Sequence, residues 1–86
     1  MAIRVLKYHL RAVMAAKHKF LHVGVQAGDY FVWAEVDNGD MHELIDSPYQ
    51  MIPTGYAEVH PSWSYKGTIV NNDNGTVWHV YDKRGA

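Results

Sequence analysis

Residues 20–36 read FLHVGVQAGDYFVWAEV, and this stretch decides the fold class. Leu21, Val23 and Val25 fall on one side of an extended chain, which is the two-residue period of a β-strand with one buried face. The run YFVWAEV that follows is dense in the aromatic and β-branched residues that strands favour. A glycine turn at Gln26-Ala27-Gly28-Asp29 separates the two runs. The stretch therefore predicts a β-hairpin.

The turn-forming sequence NNDNG at residues 71–75 lies between two further β-rich runs, YKGTIV and TVWHVYD, which predicts a second hairpin. At the start of the chain, the alternation over residues 3–10 predicts another strand. Residues 11–19 contain good helix formers but no convincing N-cap and no long apolar stripe. For that segment, a short strand with a turn and a single helix both stay open.

Three prolines, Pro48, Pro53 and Pro61, divide the segment between the hairpins. Proline removes a donor from a strand ladder, so we expect any strands there to be short or to lie at sheet edges. Asp37-Asn38-Gly39-Asp40 predicts a tight turn, since Asn-Gly tolerates positive φ. These patterns predict an all-β or β-rich fold: a small antiparallel sheet or partly open barrel of five to seven short strands, with at most one short helix.

The chain has 86 residues, of which 48% are hydrophobic and 20% charged, so we expect a single domain over residues 1–86. It contains no cysteine, which excludes disulfides, thiolate catalysis and cysteine-ligated zinc. The N-terminus shows no export signal, and no stretch approaches the ~20 apolar residues that cross a bilayer. We therefore expect a soluble protein of a reducing compartment with no membrane partner.

Charge is unevenly distributed along the chain, although the formal net charge is only −1. Residues 1–19 carry five lysines and arginines and no acid, whereas residues 20–65 carry seven acids and no lysine or arginine. Opposite charges often pair between neighbouring strands, so we expect the two segments to lie side by side and neutralise each other. A basic face is the alternative.

Five segments carry a family resemblance: VLKYHL at 5–10, LHVGVQAGDYFVWAEVD at 21–37, IPTGY at 52–56, YKGT at 65–68 and GTVWHVYDK at 75–83. In this order they resemble a family of small tailed-phage proteins of unassigned function. Where that family often has proline after Lys-Tyr, this chain has His9. The resemblance implies a bacteriophage origin, a compact β domain and a role outside the core replication enzymes, and it implies no established activity.

Six histidines invite a metal hypothesis, but their spacing argues against it. His18 and His22 are four residues apart, which suits a helical turn and is too far along a strand. His9, His22 and His79 on neighbouring strands are the alternative set. We expect no metal and no cofactor.

Catalysis and nucleic-acid binding are both disfavoured by the sequence. His42 beside Glu43, and the serines Ser47 and Ser62, lack the context of a catalytic motif, so we expect no enzyme. The pI of about 6.6 argues against a nucleic-acid partner.

The aromatic residues are too numerous for so small a core to bury all of them. We expect Trp33 and Trp78 to point into the core, and Tyr56 and Trp63, in a loop with prolines, to lie at the surface. A nucleotide-like ligand would then have its phosphate held by Arg4, Lys7 or Arg11 and its base stacked on Tyr56 or Trp63. Unpaired sheet edges in a small domain also predict a homo-oligomer.

These observations favour a non-enzymatic phage accessory protein that counters host defence in the host cytoplasm. It would act by binding, either sequestering a nucleotide-like small molecule or blocking a host defence protein. A structural or assembly protein of the virion is the first alternative. A small histidine-dependent hydrolase is the second.

Overall fold

The structure, a computed structural model, describes residues 2–55 and 58–86. Within these residues the chain forms eight strands, all paired antiparallel, and one turn of 3-10 helix at Asn38–Asp40. The strands are β1 Ile3–His9, β2 Met14–Ala15, β3 Lys19–Gln26, β4 Asp29–Asp37, β5 Leu44–Ile45, β6 Tyr49–Pro53, β7 Ser64–Asn71 and β8 Thr76–Asp82. The predicted β-rich class is confirmed. The strand number exceeds the predicted range because β2 and β5 have two residues each, too few to produce a periodic pattern.

Two three-stranded sheets make up most of the fold. The first sheet has the order β1-β4-β3 and the second has the order β6-β8-β7, while β2 and β5 pair as a small ribbon. The strands β4 and β8 are thus central, and each forms the hairpin that the sequence predicts. The two sheets meet along β3 and β7. There the strands approach so closely that a Cβ at Gly67 would lie 2.9 Å from Val23 Cγ2.

The core lies between the inner faces of the two sheets and is small. Its members are buried apolar side chains contributed by both sheets and by the segment after β1: Leu10, Met14, Val23, Val32, Tyr49, Ile69 and Val80. The molecule measures 42 × 31 × 17 Å. Its radius of gyration, 13.3 Å, exceeds the roughly 12 Å of a typical chain of this length. In so thin a molecule, most of the outer face of each sheet remains at the surface.

The turns follow the predictions with one difference. Ala27 and Gly28 both have positive φ, 52° and 81°, which suits a two-residue hairpin turn. The chain also turns after β4, but Gly39 does not adopt positive φ. Instead the Asp37 carboxylate accepts a hydrogen bond from the Gly39 N–H at 2.9 Å and caps the 3-10 turn.

Three further expectations can be compared with the structure. Residues 11–19 form no helix and contain the short strand β2. Within its described residues, the proline-containing segment supplies the two-residue β5 and the edge strand β6, as predicted. The basic N-terminal strand β1 lies beside the acidic strand β4, and Lys19 lies opposite Glu35 in the register, so the predicted adjacency of opposite charges is confirmed.

Two inward-facing predictions are wrong. A β-bulge between Phe20 and His22 takes Leu21 out of the alternation, so Phe20 packs against the core and Leu21 is exposed. Trp33 lies on the outer face of the first sheet because its neighbours Val32 and Ala34 face the core. Trp78 shares the inner face of β8 with the buried Val80, although it is only half-buried.

Candidate functional site

The structure does not bring the predicted ligand-binding cations to one place. Arg4 and Lys7 point to opposite faces of β1, because they are an odd number of residues apart. Arg11 lies in the loop after β1. Trp63 is half-buried just before β7, with its ring centroid 6.3 Å from that of His60. Tyr56 lies outside the described residues.

A cleft of about 430 Å³ opens where β3 and β7 meet, and we refer to it as the basic cleft. Residues from the start of β3, from β7 and from the end of β8 onward line it: His18, Lys19, Phe20, Lys66, Asp82, Arg84 and Ala86. Three of these side chains are permanently basic and one is a carboxylate. The cleft therefore concentrates cationic side chains in a chain whose formal net charge is −1.

The floor of the basic cleft is a hydrogen-bonded ion pair. The Asp82 side chain is fully buried, and its Oδ2 accepts a hydrogen bond from Arg84 Nη2 at 2.7 Å. Asp82 Oδ1 also accepts from the Arg84 backbone N–H at 2.8 Å. The remaining guanidinium arm reaches the Ala16 carbonyl oxygen, to which Nη1 donates at 3.0 Å. This pairing raises the pKa of Arg84 and fixes the end of the chain against the segment before β3.

His18 joins this network as a neutral imidazole. Its Nδ1 lies 2.6 Å from the Ala15 carbonyl oxygen, which can only accept, so Nδ1 carries the proton. Its Nε2 is then the acceptor for the Tyr49 hydroxyl at 2.7 Å and for Arg84 Nη2 at 3.1 Å. Burial lowers the pKa of His18, and burial raises the pKa of Tyr49 to about 12. Both groups therefore keep these roles near neutral pH.

Two lysines of the basic cleft are available to a ligand. Among the described residues, neither Lys19 nor Lys66 has a carboxylate within ion-pair distance. The Lys66 ammonium lies 5.3 Å from the centroid of the Phe20 ring, within the range of a cation–π contact. The cleft thus combines free positive charge with an aromatic wall, whereas its arginine is already engaged.

The outer face of the first sheet forms a second candidate surface, which we refer to as the aromatic face. Four rings from its three strands make a continuous row: the ring centroids of His9 and Phe31 are 5.7 Å apart, those of Phe31 and Trp33 6.2 Å, and those of Trp33 and His22 5.6 Å. Lys7 Nζ lies 4.7 Å from the Phe31 centroid and donates to Gln26 Oε1 at 2.7 Å. An exposed sheet face is usually polar, so this row of half-buried and exposed rings is a candidate surface.

The outer face of the second sheet is mixed: the exposed Val70 and the Tyr65–Tyr81 ring pair, whose centroids are 5.5 Å apart, share it with a polar group around His79. His79 contacts two hydroxyl groups, with Nε2 2.8 Å from Thr54 Oγ1 and Nδ1 3.1 Å from Thr68 Oγ1. The Tyr65 hydroxyl forms a further hydrogen bond with Thr68 Oγ1. A histidine acting as a general base is usually oriented by a carboxylate, and here both ring nitrogens face threonines.

Residues 2–55 and 58–86 contain neither a metal-binding cluster nor a membrane-spanning helix. In these residues no three histidine, aspartate or glutamate side chains are grouped so that they could hold a metal ion. The same part of the chain contains no helix long and apolar enough to span a membrane.

Sequence reasoning missed the basic cleft because its cations come from three separate segments. Lys66 faces the cleft through the irregularity between Tyr65 and Gly67, where β7 loses register with β8. The only local signal is Asp82-Lys83-Arg84, in which an acid and a base two residues apart can share one side of an extended chain.

Over residues 1–86 the chain matches a family described as a domain of unknown function (DUF7352). No curated protein and no solved structure shows significant similarity to it.

Proposed function

We propose that this chain, which belongs to the DUF7352 family over residues 1–86, is a non-enzymatic binding protein whose basic cleft holds a small nucleotide-like anion. One observation carries the proposal: Lys19 and Lys66, which make no ion pair among the described residues, line the same cleft as the Phe20 ring, and the carboxylate side chain of that cleft, Asp82, is already engaged in a buried ion pair. Cationic side chains bind phosphate by charge-assisted hydrogen bonds, and an aromatic ring accepts a base by stacking.

The size of the cleft agrees with this ligand class. Its volume of about 430 Å³ lies within the range of small-molecule sites, whose volumes are roughly 300–1,000 Å³. The anchoring of Arg84 by Asp82 keeps the walls in place before a ligand arrives, so little ordering is needed on binding. The residues proposed for the site therefore differ from Arg4, Lys7 and Arg11, while the ligand class is the one that the sequence predicted.

The biological setting is also part of the proposal. Its support is the resemblance to small tailed-phage proteins, together with the absence of a catalytic motif from the sequence. A phage accessory protein that sequesters a nucleotide-like signal in the host cytoplasm would counter a host defence without any chemistry of its own. Blocking a host defence protein is the other form of the same role.

Isothermal titration calorimetry against a panel of cyclic and linear nucleotides tests the ligand proposal directly. Lys66→Ala should weaken binding about tenfold or more, because a charge-assisted hydrogen bond contributes about 1.5–3 kcal/mol. It should also reduce the salt dependence of binding. Arg4→Ala is the matched control, because Arg4 is exposed and lies outside the cleft, and its substitution removes the same charge.

Two results would contradict the proposal. The first is that the wild-type chain binds no nucleotide of the panel. The second is that Arg4→Ala weakens binding as much as Lys66→Ala does, which would return the site to the N-terminal strand.

A virion structural or assembly protein is the alternative from another class. Mass spectrometry of purified virions separates the two, because an accessory protein should be absent from particles. Its presence there in stoichiometric amount would favour the virion role.

A further inference from the structure

Each three-stranded sheet has one edge strand away from the junction of β3 and β7, and the two edges differ in protection. Strand β6 in the second sheet has five residues, follows Pro48 and ends at Pro53. Short length and proline are usual devices that stop an edge strand from pairing with another chain. Strand β1 in the first sheet has seven residues, contains neither proline nor glycine, and pairs with β4 without a bulge. The open side of β1, which we refer to as the β1 edge, is therefore long and regular.

The hydrogen bonds just beyond the two ends of β1 show which backbone groups face β4. The Leu10 N–H donates to the Tyr30 carbonyl oxygen at 3.0 Å. At the other end, the Ala2 carbonyl oxygen accepts from the Asn38 N–H at 2.9 Å. Residues 2 and 10 are both even-numbered, and the register between them has no shift. Because antiparallel bonding alternates along a strand, the even-numbered residues of β1 bond to β4 and the odd-numbered residues face the β1 edge.

The β1 edge thus presents a row of backbone donors and acceptors. The N–H and C=O groups of Ile3, Val5 and Lys7 point away from β4, and nothing in residues 2–55 and 58–86 forms a hydrogen bond with them. The row ends at His9, whose carbonyl oxygen accepts from the Ala12 N–H at 2.9 Å. Such a row is a template on which another extended chain can pair.

The side chains along the β1 edge are apolar and basic. Ile3 and Val5 are 63% and 62% exposed. Arg4 and Lys7 are also exposed, and among the described residues neither has a carboxylate within ion-pair distance. The strand contains no acid. Charge is therefore the one protection of this edge, and it acts only against basic strands.

The closed side of β1 shows which charge the strand accepts beside it. There β1 pairs with β4, which carries Asp29, Glu35 and Asp37 and no lysine or arginine. A second copy of β1 at the open side would instead bring two cations from each copy and no acid. Opposite charges on neighbouring strands are stabilising and like charges are destabilising. The β1 edge therefore selects an acidic strand over a copy of itself.

We propose that the β1 edge is a docking site for an acidic, extended segment of a partner protein, which adds a fourth strand to the first sheet. In such strand addition, main-chain hydrogen bonds give affinity and alternate side chains give specificity. All strand pairs of the described residues are antiparallel, and in that orientation the segment would place acids opposite Lys7 and Arg4 and an apolar residue opposite Val5. The β1 edge lies across the first sheet from the junction where the basic cleft opens, so this inference does not rest on the proposed nucleotide.

A synthetic peptide tests the proposal on the full chain. Its central residues follow the order acid, apolar, apolar, acid, apolar, which places the two acids opposite Lys7 and Arg4. Fluorescence anisotropy of the labelled peptide measures binding, and amide hydrogen exchange followed by NMR locates it. The amides of Val5 and Lys7 should exchange about tenfold or more slowly in the complex, because they gain a hydrogen-bond partner. The amides of Leu6 and Tyr8 already bond to β4 and should change little.

Methylation of the peptide backbone tests whether main-chain bonds hold it. A methyl group on the nitrogen of the residue opposite Val5 should weaken binding about tenfold or more, since that N–H would face β1. The same change at the residue opposite Leu6, whose N–H would point away, is the matched control. Neither peptide alters the protein, so the comparison does not depend on the folding of a variant.

Charge reversal distinguishes the β1 edge from the basic cleft. Arg4→Glu should weaken peptide binding about fivefold or more, because it replaces an opposite charge beside the acidic peptide with a like one. Lys66→Glu makes the same change of charge in the basic cleft and should leave peptide binding unaltered.

Four outcomes would overturn the proposal. The first is that the peptide does not bind, and the second is that both methylated peptides bind equally well. A loss of binding in Lys66→Glu but not in Arg4→Glu would place the peptide in the basic cleft. Protected Val5 and Lys7 amides in the protein alone, at a mass of twice 9.8 kDa, would show that a second copy occupies the edge.

Discussion

The two central strands share a Val-Trp pair followed four residues later by Asp, but they turn these side chains to opposite faces of their sheets. Residues 32–37 of β4 read VWAEVD, and residues 77–82 of β8 read VWHVYD. In β4 the tryptophan and the aspartate face outward, while in β8 the tryptophan and the aspartate face the core. Both aspartates accept a hydrogen bond from the backbone N–H two residues later, so the local structure at the strand ends is alike.

The difference between the strands shows that a strand pattern does not determine which side is buried. In β4 the outward tryptophan contributes to a surface, and the outward Asp37 caps a turn. In β8 the inward Asp82 needs a buried partner, and Arg84 supplies it from the segment that follows the strand. The face that a residue occupies, rather than its type, sets its energetic role.

The largest expected effect comes from the two aspartates. Asp82→Ala should lower the free energy of unfolding by about 3 kcal/mol or more, because it leaves Arg84 without its buried partner. Asp37→Ala should cost only about 1 kcal/mol, the usual value for a lost cap. Urea denaturation followed by tryptophan fluorescence measures both. Equal losses of stability for Asp82→Ala and Asp37→Ala would contradict the inference that the face of the strand sets the energetic role of the aspartate.

Alanine substitution of the two tryptophans should show the same difference, with a larger loss of stability at the inward-facing Trp78 than at the outward-facing Trp33. Trp78→Ala should cost roughly 3 kcal/mol, at the low end for a large aromatic residue because Trp78 is only half-buried. Trp33→Ala should cost about 1 kcal/mol or less, because Trp33 lies on the outer face of its sheet. A larger loss at Trp33 than at Trp78 would reverse the assignment of inner and outer faces.

Trp78→Phe sharpens this comparison. Among the described residues, the buried Trp78 Nε1 has no hydrogen-bond partner. Phenylalanine removes this unsatisfied donor while keeping an aromatic ring, so Trp78→Phe should be closer to wild type than Trp78→Ala.

The smallest expected effect is a pH dependence of stability that comes from His18, which lies just before β3 and contacts Arg84. Burial lowers the pKa of His18 below its ordinary value of 6.5, so below pH 6.5 the unfolded chain binds more protons than the folded chain. The contribution of neutral His18 is therefore fully present above that pH and is lost as the pH falls. In His18→Gln, the decline of stability between neutral and mildly acidic pH should be shallower than in the wild type. Parallel curves for the two proteins would show that His18 is not linked to stability.

The sequence is a good guide to the hairpins and a poor one to the site. The two-residue period and the glycines at residues 28 and 75 predict both hairpins, because these signals are local. The bulge at Leu21 and the facing of Trp33 depend on how the sheets pack, which no local pattern records. For the same reason, a sequence pattern points to cations that are near one another in the chain, such as Arg4, Lys7 and Arg11, whereas the basic cleft joins β3, β7 and the segment after β8.

The contact of Gly67 with Val23 restricts how such a sequence can change over time. Val23→Ala alone would leave a gap where β3 meets β7, and Gly67→Ala alone would force the strands apart. Each substitution is costly singly, yet together they would restore a matched surface. We therefore expect residues 23 and 67 to change together in evolution, by way of a less stable intermediate sequence. Glycine at position 67 is needed because the side chain opposite it on β3 is as large as valine.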